Sequence, residues 1–308
     1  MPELNLDSSI VDERYVVERC LSHGSYAEIF LARDLEHNEE TVIIKALNAF
    51  LQGTPDEDLE RTLVENFQNE AVALDKVRHP NIIRRLGHGT ASDLKETPFH
   101  YLVLEYLAGG DMSSFCRSSV LDLDHAIFYF GQVCAALAYA HSQQVIHRDI
   151  KPQNLLLSED HQLIKVADFG VAKISPDDTS EVTRVGTNVY APPEHHPEYQ
   201  SNELPEPLTP SADIYSLAKT IYTAMSGRAP SRYAHRPIAD LPEPLGTKPW
   251  ADRLLSVLQK ATAERVADRY QSVEAFWSDF AALRAWAVAT TSGLVHPEAD
   301  PEATVVRR

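Results

Sequence analysis

The sequence predicts an α+β chain with strands crowded near the N-terminus and long helices after them, and two observations carry that reading. Short β-branched and apolar runs recur at Tyr15-Val16-Val17, Ile29-Phe30-Leu31-Ala32, Thr41-Val42-Ile43-Ile44 and Tyr101 to Leu107, the composition of buried or half-buried strands. Helical spacing appears between and beyond them. Val64, Phe67, Ala71, Leu74 and Val77 recur three and four residues apart, and Ser113 to His141 contains a strongly apolar helix interrupted by Asp122, Asp124, His125 and Gln132. A hairpin is expected from Leu155-Leu156-Leu157 to Leu163-Ile164-Lys165-Val166-Ala167, turning at Ser158-Glu159-Asp160-His161.

Several of these elements carry residues that pure packing does not ask for. The turn Leu21-Ser22-His23-Gly24-Ser25-Tyr26-Ala27 is built on small side chains, so backbone amides could approach an anion, although only Gly24 has glycine's freedom. Lys45 interrupts an otherwise apolar strand, where a lysine ordinarily snorkels to solvent. Glu70 lies four residues before Leu74 and shares the apolar side of its helix, a position that costs stability unless the carboxylate is paired.

The most informative stretch is His147-Arg148-Asp149-Ile150-Lys151-Pro152-Gln153-Asn154, followed by Asp168-Phe169-Gly170. An Asp-Phe-Gly alone is a common turn. Together the two segments offer separated carboxylates, an amide and an ammonium, and the hairpin between them returns the chain so that Asp168 can lie near Asn154. Phosphoryl transfer needs positioning and charge stabilisation more than covalent help, and Mg asks for one or two protein oxygens plus substrate phosphates.

These segments resemble the catalytic and Mg-binding loops of eukaryotic-type (Hanks-type) serine/threonine protein kinases, and the His-rich segment after Glu194 is similar to that of bacterial members. The family's other motifs follow in order from about residue 14 to about residue 288. The resemblance implies a bilobal protein-kinase-like fold: a small antiparallel β-sheet lobe with one key helix at 14–106, a larger, mainly helical lobe at 107–288, and a disordered tail or linker at 289–308. It also implies ATP and Mg, with Mn as an alternative metal.

In that scheme Asn154 and Asp168 are the metal ligands, and Lys45, fixed by Glu70, orients the phosphates. Asp149 aligns the attacking hydroxyl, Lys151 neutralises the moving charge, and Thr187 hydrogen-bonds Asp149 and Lys151. Leu21, Ser22, Gly24 and Ala27 cover the phosphates. Ile29 and Leu156 sandwich the adenine, Ile43 roofs it, and Leu104 is the gatekeeper. Backbone groups of Glu105 and Leu107 bind the base edge, and Asp111 holds the ribose. Ser22 and Ala27 stand where the family usually has glycine, and Ile43 where it usually has alanine. Those departures motivate the alternative of a pseudokinase scaffold.

The resemblance extends to structural landmarks. Thr179, Ser180 and Thr183 fall in the expected activation segment and are candidates for autophosphorylation, in trans through a homodimer. Asp213 would brace the catalytic loop, and Arg269 would pair with Glu194. The adjacent His195-His196 have no Cys or further His at ligand spacing.

Composition bounds the rest. The 308 residues, 44% of them hydrophobic, suit a soluble globular protein, and no stretch reaches the roughly 18 uninterrupted apolar residues of a spanning helix. Three cysteines, Cys20, Cys116 and Cys134, fit a reducing cytoplasm, whether of this chain alone or as the cytoplasmic part of a longer membrane-anchored protein. The net charge of −17 argues against nucleic-acid binding and favours basic protein substrates.

Overall fold

The computed structural model describes residues 3–51, 53, 57–169, 189–195 and 209–291 of the 308. They form two compact units. The described residues of the first come from Met1–Gly110, Tyr139–Asp149 and Asn154–Gly186, and those of the second from Asp111–Ala138, Ile150–Gln153 and Thr187–Arg308.

The first unit is organised by a six-stranded antiparallel sheet of β1 (Ile10–Val11), β2 (Tyr15–His23), β3 (Ala27–Asp34), β4 (Glu40–Leu47), β5 (Arg85–Ser92) and β6 (Pro98–Glu105), in the order β1-β2-β3-β4-β6-β5. Side chains alternate across a strand, and β4 shows the consequence. Val42, Ile44 and Ala46 point into a core shared with Tyr15, Val17, Phe30, Phe99, Tyr101 and Val103. Ile43 and Lys45 point to the other face. The N-terminal segment, which lacks any periodic signal, closes that core: Leu4 and Leu6 are buried, and the Leu4 and Asn5 amides donate to the Glu28 and Asp93 carboxylates at 3.0 Å.

Helix α1 (Glu57–Lys76) follows β4, with Glu57, Asp58 and Glu60 in its first turn and Lys76 in its last, the charge order that suits the helix dipole. It buries Phe67, Glu70, Ala73 and Leu74. The stripe therefore runs through Ala73 where the sequence suggested Ala71, because 3.6-residue periodicity places 70, 73, 74 and 77 on one side. After it, His79 to Ile83 lies along the hairpin β7 (Leu155–Leu157)–β8 (Ile164–Val166): the Val166 amide donates to Asn81, the Ile83 amide to Val166, and the Asn81 side chain to Ile164.

The second unit is helical, with α2 (Met112–Ser118), most of α3 (Leu123–Ser142), α4 (Pro210–Ser226), α5 (Ala251–Ala261) and α6 (Val273–Thr291). The apolar stretch from Ser113 thus divides into two helices. Asp111 caps the first by accepting from the Ser114 amide, Asp122 caps the second by accepting from the His125 amide, and between them the Leu121 amide donates to Ala224 of α4. Helix α4 is buried almost all round, as expected of a central core helix. Gly131 of α3 lies where a Cβ would press on the Trp277 ring of α6 at 3.0 Å. Arg269 is completely buried and bonds Glu194 through both carboxylate oxygens, at 2.7 and 2.8 Å, as expected from the sequence.

Within α4 the fully buried Lys219 donates to the Tyr233 carbonyl and lies over the Tyr215 ring. Burial, reinforced by Arg269, lowers its amine from 10.5 to about 7. Between those values the unfolded chain binds a proton that the folded chain does not, so this group's contribution to stability rises with pH across the window. Lys219→Met should therefore melt several degrees above the parent at pH 7, and the gap should shrink toward pH 9. Melting curves at the two pH values check both the sign and the trend.

Candidate active site

Lys45 is the hub of the polar residues in the first unit. It sits on β4 opposite Leu102, with Ile43 opposite Leu104 on the same face. Its ammonium donates to both Glu70 oxygens at 2.7 Å and to Asp168 Oδ1 at 2.6 Å. Helix α1 supplies Glu70 from its buried side, and the residues just beyond β8 supply Asp168. Burial opposes the charged form of Lys45, but the Asp168 and Glu70 carboxylates outweigh it and raise the amine above its ordinary value. Burial also pushes Glu70 up to about 7; Lys45 opposes that shift, and Asp168 adds to it because two carboxylates share one cation.

The segment from His147 to Asn154 is pinned to the same neighbourhood by His147. This residue is fully buried, its Nε2 donates to the Ala167 carbonyl at 3.0 Å, and its Nδ1 accepts the Asp149 amide at 3.2 Å. The Nε2–H tautomer follows from those two partners. Its ring packs on buried Phe169, centroids 4.6 Å apart. One side chain thereby ties the backbone before Asp149 to the backbone before Asp168. Arg148 and Asp168 adopt positive φ, 71° and 58°, an uncommon backbone for side-chain-bearing residues that clusters at functional sites.

Asn154 completes this arrangement. Its amide nitrogen donates to the Asp149 carbonyl at 2.8 Å and to Asp149 Oδ2 at 3.1 Å, and its own carbonyl accepts the Ala167 amide at 2.9 Å. The side-chain oxygen of Asn154 is thus the atom left to offer a cation, and Asp168 exposes 44% of its side chain. An amide oxygen and a part-exposed carboxylate suit Mg, which keeps water and phosphate in its remaining positions. Among the described residues no three His, Cys, Asp or Glu side chains gather into a closed metal site. Lys151, half-buried, belongs to the second unit. Thr187, Gly170, Thr179, Ser180, Thr183 and His196 lie outside the described residues.

The base-binding expectations fall on one sheet face and its neighbours. Leu104 is buried beside Ile43, while Ile29, Leu107 and Leu156 are half-buried. The Glu105 amide donates to the Arg84 carbonyl, so that amide is already engaged and is not the group left to meet a base. Gly109 follows because nothing larger fits: a Cβ there would lie 2.1 Å from the Ser158 carbonyl oxygen. The turn expected to cover the phosphates is shorter than the sequence suggests. β2 runs on through Leu21, Ser22 and His23 and β3 starts at Ala27, leaving Gly24 to Tyr26 as the turn, because irregularities in the β2–β3 register let the ladder continue. Gly24 closes it by donating to Ala27 at 2.7 Å. Asp111 holds no more than a half-exposed position at the start of α2, with both oxygens engaged by Ser114.

Two residues in this region have partners that the sequence does not show. His147 stands in the motif without a task of its own, since its partner Ala167 is distant in sequence. Lys165 is a lone charge in an apolar strand, the only signal it offers.

A strand-first unit carrying a lysine–glutamate–aspartate cluster and a helical second unit define a protein-kinase-like fold and site. Residues 15–242 match the protein kinase domain family, and the chain belongs to that family. It is 31% identical over 287 residues to serine/threonine-protein kinase pkn3 of Myxococcus xanthus, covering 88% of this chain and 50% of the relative. It is 29% identical to serine/threonine-protein kinase PknB of Mycolicibacterium smegmatis, covering 87% of this chain and 43% of the relative. The chain thus spans about half the length of these curated relatives. Among solved structures, the PknI kinase domain of Mycobacterium tuberculosis shares the fold, with a TM-score of 0.66, 24% identity, and coverage of 90% of this chain and 99% of that one.

Glu70 binds its proton more tightly folded than unfolded. Its contribution is therefore fully present below about 4.5 and lost as pH rises through about 7. Removing the opposing cation should extend that loss upward, so Lys45→Met should be more strongly destabilised relative to the parent at pH 8 than at pH 5. Thermal midpoints at the two values test this; a pH-independent offset would contradict it.

Proposed function

We propose that this chain is an ATP-dependent serine/threonine protein kinase domain, transferring the γ-phosphoryl group of Mg-ATP to hydroxyls of protein substrates and of its own activation segment. The observation that carries the proposal is the Lys45 ammonium bridging Glu70 and Asp168, with Asp149 and Asn154 tied to the same backbone by His147 and Ala167.

Each residue then has a task. Lys45, oriented by Glu70, binds the nucleotide's phosphates, and the strand end at Glu105 and Leu107 positions the base between Ile29 and Leu156 under Ile43. Asp149 orients the substrate hydroxyl and accepts its proton as the oxygen–phosphorus bond forms and the bond to the ADP oxygen breaks. Lys151 stabilises charge on the group in flight, and Thr187 supports Asp149 and Lys151. Asn154 and Asp168 hold Mg, which when bound supplies charge neutralisation at the phosphates. Mn suits the same oxygen donors.

The net charge of −17 favours basic substrates, with local cations deciding nucleotide binding because salt screens the distant field over roughly 8 Å. Autophosphorylation on Thr179, Ser180 or Thr183 in trans would pair two copies transiently. The described residues hold no helix long and apolar enough to cross a membrane; a cytoplasmic setting is part of the proposal. A non-transferring scaffold finds no support, since Lys45, Asp149 and Asp168 are all retained.

Incubating the protein with Mg and γ-labelled ATP, beside Asp149→Asn and Lys45→Met, tests the reading. Label is expected in the parent on Thr179, Ser180 or Thr183, with at least a hundredfold less in either variant, in keeping with the weight such groups carry in phosphoryl transfer. Equal label in all three, or none in a folded parent given a basic protein substrate, would refute it.

A further inference from the structure

Lys165 takes no part in the phosphate-binding cluster, yet it is held as tightly. Its ammonium donates to Glu105 Oε1 at 2.6 Å, and the same oxygen accepts the Arg84 amide at 2.7 Å. The Glu105 amide answers by donating to the Arg84 carbonyl at 3.0 Å. Only 12% of the Lys165 side chain and 17% of that of Glu105 are exposed.

In the β7–β8 ladder Lys165 stands directly opposite Leu156, and directly opposed residues project from the same face of an antiparallel pair. The segment between these contacts is fastened too: Ile83 donates to Val166, and Val166 to Asn81, at 2.9 and 2.8 Å. One side chain thus has its stem beside Leu156 and its charge on Glu105.

We infer that Lys165 is a positioning residue for the nucleotide base, setting the spacing and orientation between the Leu156 surface and the Glu105 strand end. The inference rests on the reading of Leu156 and Glu105 as base contacts. A carboxylate this enclosed needs its donors; with Lys165 removed, Glu105 keeps, among the described residues, the Arg84 amide alone, and its turn toward water loosens the Arg84–Glu105 pairing at the strand end. Breaking one member of a poorly solvated pair costs more than the pair itself is worth. The damage should therefore be largely repaired by neutralising the other member.

Adenosine, which has no phosphate and needs no metal, isolates the base site. Its affinity and that of Mg-ATP should be measured by calorimetry for the parent, Lys165→Met, Lys165→Arg and the double variant Lys165→Met/Glu105→Gln, with steady-state kinetics alongside. Lys165→Met should weaken both ligands about tenfold and raise KM for ATP to match, while kcat at saturating Mg-ATP stays within about twofold, the pattern of lost ground-state binding. Lys165→Arg should bind like the parent, and the double variant should recover most of the affinity. Unchanged adenosine affinity in Lys165→Met, or a fall in kcat with KM unaltered, would overturn the inference. If Lys165→Met does not fold, Glu105→Gln carries the test, with weaker adenosine binding expected and parental binding overturning it. A parent that binds neither ligand would instead sink the nucleotide-site reading beneath it.

Discussion

An ammonium held between two carboxylates in a mostly buried site sets the terms for the first unit. Lys45 could not sit on an apolar strand without compensation, since a buried charge is tolerated only when paired and hydrogen-bonded. Its partners come from far along the chain: Glu70 from a helix and Asp168 from beyond a hairpin. Helix α1 must therefore present its buried side at the right rotation, and β7–β8 must return the chain to the sheet. The two carboxylates share that one cation, and burial together with this sharing makes Glu70 hold its proton more tightly than an exposed glutamate does.

The backbone around that cluster is held by polar groups whose partners are remote in sequence. His147 joins Asp149 to Ala167, Asn154 joins Asp149 to the same residue, and Asn81 joins the end of α1 to β8. Low local dielectric strengthens such bonds and makes each unsatisfied group expensive. The positive-φ residues Arg148 and Asp168 are thereby kept in place by neighbours on both sides. Lys165 and Glu105 extend the same logic to the strand end.

The second unit depends on a different constraint, the burial of charge on a helical scaffold. Arg269 is fully enclosed, bonded to both oxygens of Glu194 and to the Ala263 and Glu264 carbonyls, and its guanidinium lies over Tyr215. A planar donor fork answers this arrangement where a lysine could not. Lys219, on the same helix as Tyr215, is a second enclosed cation whose side-chain bond runs to a neutral carbonyl. It is therefore a source of strain that an apolar residue would relieve.

Much of this is legible in the sequence. The β-branched runs, the helical stripe around Glu70, the Leu155–Ala167 hairpin and the Arg269–Glu194 pair all follow from local pattern or from motif resemblance, because periodicity and side-chain chemistry are properties of short segments. Local pattern does not supply contacts between segments distant in the chain. The N-terminal Leu4 and Leu6 have no periodicity to announce that they complete a sheet core. The turn at Gly24 is shorter than its small residues suggest because β2 and β3 continue pairing, a matter of register. His147 and Lys165 show the division most clearly: their identities are plain, but their partners Ala167 and Glu105 become neighbours only once the sheet and hairpin have folded. The residue types needed for phosphoryl transfer are thus determined by the sequence alone. Which of them share a hydrogen bond is decided by tertiary structure, because pairing buried charges requires chain segments that only the packed core brings together.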